Sequence, residues 1–118
     1  MSEPGKSAPP AIDRSVLGEW LGGDDVAIDE LLAVFGDSVR SEAERMHDLL
    51  AAGDLAELAK AAHRLRGAAL SMGARRLAAA AAAMDAAAQA NDPAACAAGF
   101  PDMRARVRLT LAEVPGRP

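Results

Sequence analysis

Glu44 and His47 stand three residues apart, the Glu-x-x-His step with which di-metal carboxylate bundles bring two side chains to one ion. Such a site needs a second Glu-x-x-His and two further inward glutamates. The only other histidine, His63, has Lys60 at that step, so the second copy is missing and His47 reads as a solvated helix-surface residue. Cys96 is the single thiol; it can form no internal disulfide, which fits a reducing compartment, and no histidine lies near it in sequence. Ser71 has no base beside it to activate it. There is no Gly-rich phosphate loop, Walker lysine, kinase nucleotide signature or Cys-x-x-Cys. These absences argue against a self-contained hydrolase or an ATP-using kinase.

His63 is a stronger candidate. On a helical wheel it lies roughly 130° from the centre of the apolar face that its own segment presents, so it belongs to the surface. Arg66 and Gly67 follow three and four residues later, on the same side, and Lys60 precedes it by one turn. A mid-helix glycine is unfavourable by about 1 kcal/mol relative to alanine, and beside an exposed imidazole it suggests that something must approach closely. Lys60, Arg64, Arg66, Arg75 and Arg76 concentrate positive charge here in a chain of net charge −4. A patch of reversed sign suits an anionic centre or an acidic partner. If the chain turns back near Gly73, His63 sits level with residues 83 to 86 of the next helix, where Asp85 is the only polar side chain and Gln89 lies one turn on. Either could hold an imidazole N–H and fix its tautomer.

The elements that must position these groups are helical. The 118 residues are 51% hydrophobic and 25% charged, which is one globular domain. About a quarter of the chain is alanine, tyrosine is absent, and the aromatics are only Trp20, Phe35 and Phe100. A β-sandwich or a base-stacking nucleic-acid module would need more β-branched or aromatic residues. The acidic balance argues against whole-surface attraction to nucleic acid or anionic membrane. Pro4, Gly5, Ser7, Pro9 and Pro10 make residues 1–11 a disordered tail, and 115–118 a second short tail, around a domain at 12–114. Asp13 or Ser15 opens a short helix holding Val16, Leu17, Trp20 and Leu21, which Gly22-Gly23 ends.

Asp24 then opens a long helix with apolar residues at Ile28, Leu31, Leu32, Phe35, Val39, Ala43, Met46, Leu49 and Leu50. Gly36 inside it favours a local bend, and Gly53 stops it. After the cap Asp54, Leu55, Leu58, Ala62, Leu65, Ala69 and Met72 share one face, and Gly73 ends the segment. An alanine-rich helix runs from Ala74 to about Ala90. Asn91-Asp92-Pro93 starts the last helix, with Phe100, Met103, Val107, Leu111 and Val114 inward and Pro101 expected to kink or split it. Short connections make this an all-α fold, an antiparallel up-down four-helix bundle with a short extra N-terminal helix. No secretory signal is visible at the first residues, and the longest apolar run, Leu77 to Met84, is too short for a membrane span, so a cytoplasmic protein is expected.

Ala62-His63-Arg64-Leu65-Arg66-Gly67-Ala68-Ala69, then Met72-Gly73-Ala74, Leu77-Ala78 and Met84-Asp85, resemble the core of the histidine-containing phosphotransfer (HPt) domain family. That family's pattern is A-H-x-L-K-G-[SA]-A, followed by a small L-G-A turn, L-A, and an L-E or similar pair. Gly53-Asp54 ahead of the helix is also typical, and the resemblance is sharp over residues 53 to 85. It implies that His63 is a phosphoacceptor, that Arg66 keeps a positive charge near the phosphoryl group, that Gly67 leaves room for the partner, and that Asp85 orients the imidazole. Lys60, Arg64, Leu70, Arg75 and Gln89 would then form the partner-contacting rim. Two positions depart from the pattern: Arg66 puts a planar fork where a lysine is usual, and Asp85 is shorter than the usual Gln or Glu.

The resemblance also implies partners and cofactors. The chain would act as a monomeric phosphoryl carrier with no autokinase activity, no nucleotide site and no cofactor of its own. It would exchange phosphate with response-regulator receiver domains or a hybrid histidine kinase, and the receiver would supply Mg²⁺. Two alternatives stand beside this reading. One is the phosphoacceptor domain of a chemotaxis-type kinase, disfavoured because no catalytic or dimerisation segment follows. The other is a structural or adaptor bundle without phosphorylation, which predicts that replacing His63 changes nothing.

Overall fold

The computed structural model describes residues 9–115, so most of the proline-rich leader and the last three residues lie outside it. Among the described residues there are five helices and no strand: α1 (Ser15–Leu21), α2 (Asp25–Ala52), α3 (Leu55–Ser71), α4 (Arg75–Gln89) and α5 (Pro93–Ala112). No helix here is long and apolar enough to cross a membrane.

Aspartates start α2, α3 and α5, and a left-handed residue follows α2, α3 and α4. Asp24 accepts from the Val26 and Ala27 N–H groups at 3.1 and 3.2 Å. Asp54 accepts from Glu57 N–H at 3.2 Å, and Asp92 from Ala95 N–H at 3.0 Å. Each satisfies an amide that a helix N-terminus leaves without a partner. Gly53, at φ 72°, closes α2 and returns its N–H to Leu49 and Leu50. Asn91 takes a left-handed φ of 54° after α4, a conformation asparagine tolerates better than most residues.

Consecutive helices pack on one another from α2 to α5, and α5 closes against α2. The core is aliphatic and thioether-rich: Leu32, Val39, Met46, Leu58, Leu65, Leu77, Met84 and Met103 are buried, with Ala61, Ala62, Ala69 and Ala81 between them. The small alanines let α3 and α4 approach closely, while methionines fill the irregular gaps. Cys96 is buried here, and burial pushes its thiol pKa up, with Asp92 adding to the shift. Thr110 is the one buried polar side chain among the described residues, and it donates to the Arg106 carbonyl at 2.7 Å.

Two expectations are corrected. Trp20 does not join the apolar face of α1; it is 79% exposed, and Leu17 alone of that helix is buried. A seven-residue helix buries about one turn's worth of side chain, and Leu17 fills that place. Pro101 does not split α5, which runs unbroken through it. The carbonyl that loses its donor belongs to Ala97, which is exposed, so water can take the missing bond. Gly36 lies inside an unbroken α2 and makes room for a neighbour: a methyl there would meet the Val114 side chain at 3.2 Å.

The leading segment is tied into the fold by its backbone. Glu113, just past α5, accepts from the Ala11 and Ile12 N–H groups at 2.6 and 2.9 Å, and Ile12 is buried. Asp13 N–H donates to the Gly73 carbonyl at 2.9 Å. Gly73 adopts φ 79°, and an added Cβ would collide with the Asp13 backbone, which cannot swing aside as a side-chain tip could. Gly73→Ala should therefore destabilise the protein by about 2–4 kcal/mol, from left-handed strain plus the clash. Urea unfolding measures this, and a loss under 1 kcal/mol would show that the α3–α4 turn is not held in this way.

Candidate functional site

Helix α3 buries Leu58, Ala61, Ala62, Leu65 and Ala69, which leaves His63, Arg66, Gly67 and Leu70 on its exposed side. The His63 side chain is 70% exposed. Its Nδ1 faces Asp85 Oδ2 of α4 at 3.6 Å, and the Asp85 side chain is only 15% exposed. That separation is longer than a hydrogen bond but close enough for a carboxylate to bias which nitrogen carries the proton. The other Asp85 oxygen, Oδ1, accepts from Gln89 Nε2 at 2.7 Å. The far ring nitrogen of His63, Nε2, has no partner among the described residues. Asp85, Gln89, Lys60 and Arg64 line a shallow open hollow with the histidine.

The basic residues grouped by the sequence are not equivalent. Lys60 Nζ meets Glu57 Oε2 at 2.9 Å, and that ammonium holds the Glu57 carboxyl below its ordinary pKa. Arg64 Nε donates to both oxygens of Glu42 on α2, at 3.2 and 3.0 Å. Arg75 approaches Asp13 at 3.4 Å. Arg66, one turn beyond His63, has no anionic partner among the described residues. It is therefore the cation on this face with nothing to surrender when an anion arrives. The Lys60–Glu57 pair follows an i,i+3 spacing that sequence inspection can find. Glu42 is far from Arg64 in sequence, and no local signal announces their pairing.

Gly67 and Leu70 complete the exposed surface. A methyl built on Gly67 meets nothing within 4 Å, so no contact inside the chain demands glycine there. Its carbonyl accepts from Ser71 Oγ at 3.0 Å. Leu70, 46% exposed, stands two turns beyond His63 and adds an apolar patch of the kind that a partner would cover.

His47 stays outside this group. Its ring packs against Phe100 with centroids 6.0 Å apart, and Nδ1 lies 3.4 Å from Asp48. Among the described residues no three His, Cys, Asp or Glu side chains gather closely enough to hold a metal ion.

A family model described as the Hpt domain matches residues 30–115. Among solved structures, the chain is similar to the crystal structure of histidine-containing phosphotransfer protein B (HptB) from Pseudomonas aeruginosa PAO1. The TM-score is 0.80 at 23% sequence identity, and the match covers 89% of this chain and 91% of that one. No curated protein sequence gives a significant match.

The open space around Gly67 yields a signed prediction. Gly67→Ala should stabilise the isolated protein by about 0.5–1 kcal/mol, because alanine is the better helix former and its methyl displaces nothing. A denaturation midpoint that falls instead would mean that the glycine serves the fold.

Proposed function

This chain belongs to the Hpt domain family, its role is histidine phosphotransfer in a phosphorelay, and on that premise we propose that His63 is the residue that carries the phosphoryl group. One observation carries the assignment: an exposed imidazole whose Nδ1 is faced by a part-buried carboxylate at 3.6 Å, while Nε2 is free. That arrangement favours the tautomer with its proton on Nδ1 and its lone pair on Nε2. His47, the other histidine, has its ring against Phe100.

The reaction needs little from the protein beyond position and charge. The phosphoryl donor is an aspartyl phosphate on a response-regulator receiver domain. The Nε2 lone pair forms the N–P bond in line as the P–O bond to the aspartate breaks, and the carboxylate departs with that bond's electrons. The ring gains positive charge and keeps its Nδ1 proton, next to the negative Asp85. Arg66 directs its unpaired guanidinium to the phosphoryl oxygens. Gly67 and Leu70 lie against the partner, whose surface must come within bonding distance of the imidazole. The reverse sequence returns the group to a second receiver aspartate.

The scaffold is an antiparallel up-down bundle of α2 to α5 with α1 as a leading helix. The closing contact of α5 on α2 and the two- or three-residue turns between helices support it. Such a bundle presents one nucleophile on rigid elements.

The test is direct. Receiver domains phosphorylated with acetyl phosphate are mixed with the protein, and acid-labile, base-stable phosphate is sought on it. Wild type should acquire it and His63→Gln should not; labelling that survives in the variant removes His63 from the role. Arg66→Ala should slow transfer about tenfold or more, the worth of one charge-assisted hydrogen bond, with helix content unchanged. An unaltered rate would take Arg66 out of the site.

A further inference from the structure

The geometry points to Gln89 as a positioning residue that acts on His63 through Asp85, and not as part of the partner-contacting rim. This inference rests on the assignment of His63 as phosphoacceptor. The Asp85 side chain is only 15% exposed. Removed from most of its water, it requires donors for both oxygens. Gln89 Nε2 supplies one to Oδ1 at 2.7 Å, and His63 Nδ1 faces Oδ2 at 3.6 Å. The two cations that line the same hollow are committed elsewhere, Lys60 to Glu57 and Arg64 to Glu42, so neither competes for Asp85. No further donor reaches the carboxylate among the described residues. Gln89 is therefore the one group that fixes the carboxylate's rotation, and the rotation decides whether Oδ2 points at the imidazole.

The consequence is chemical. A free histidine side chain prefers the neutral tautomer with its proton on Nε2, the atom that must attack here. An exposed ring with no orienting neighbour would spend most of its time in that unreactive form. A carboxylate held toward Nδ1 reverses the preference. Asp85 is a short side chain, and one turn of helix brings Gln89 alongside it (i,i+4) to brace it. The pair together does what a longer carboxylate or amide could do alone.

Gln89→Leu tests this, since leucine keeps helix propensity and bulk and removes the donor. The receiver domain that phosphorylates the wild-type protein fastest serves as donor in single-turnover transfer. The rate constant should fall about three- to tenfold while the half-saturating receiver concentration stays within twofold. Nitrogen NMR of the neutral imidazole should show Nε2–H signals that wild type lacks. In an Asp85→Ala background, where no carboxylate remains to be braced, Gln89→Leu should cost nothing more. An unchanged rate, a loss carried by half-saturation, or an equal loss without Asp85 would each overturn the inference. If wild type accepts no phosphate, the phosphoacceptor assignment fails, and the tautomer populations of wild type and Gln89→Leu still decide whether Gln89 acts on the ring.

Discussion

Leu58, Ala62, Leu65 and Ala69 all face the core of one helix, and a period of 3.6 residues then leaves His63, Arg66, Gly67 and Leu70 only the surface. The proposed site depends on that division. The same burial that holds α3 in the bundle aims the imidazole outward and spaces the cation, the glycine and the leucine along one exposed side. Because α3 lies directly against α4, Asp85 arrives level with the histidine without any dedicated loop. The imidazole proposed as the phosphoacceptor thus stands on a well-packed helix, where its position is set by aliphatic contacts.

Charge is arranged on a different principle. The chain carries a net −4, yet the helix around His63 is rich in cations. Two of the three on α3 are paired with carboxylates, Lys60 with Glu57 and Arg64 with Glu42 of α2, and Arg75 at the start of α4 is paired with Asp13 of the leading segment. Exposed pairs of this sort are worth little to stability. Their consequence is selective: among the described residues they leave Arg66 without an anionic partner, one turn from the imidazole, and they leave the carboxylate of Asp85 to His63 and Gln89. On the proposed assignment, an incoming phosphoryl group would meet the Arg66 guanidinium, and the imidazole would meet the carboxylate of Asp85.

Much of this was legible in the residues. Asp24, Asp54 and Asp92 announce helix starts because a carboxylate is what their free amides require, and Gly53 and Gly73 announce ends because only a left-handed residue fits. The exposure of His63 follows from the apolar period of its own segment. The pairing of Glu42 with Arg64, and of Gly36 with Val114, depends on which helices become neighbours, and local pattern cannot show that. Trp20 misleads because size suggests burial, whereas so short a helix needs only Leu17 to anchor it. Gln89 was visible as a polar residue near the site, but the direction of its amide, toward Asp85, is a matter of rotamer.

In the proposed transfer, Asp85 claims one side of the His63 ring and leaves the other to phosphorus. Phosphorus–nitrogen coupling in the NMR spectrum of the phosphorylated, nitrogen-15-labelled protein reads which ring atom carries the group. The arrangement described here predicts attachment at Nε2 of His63, with the proton on Nδ1. A phosphoryl group found on Nδ1, or on any residue other than His63, would contradict it.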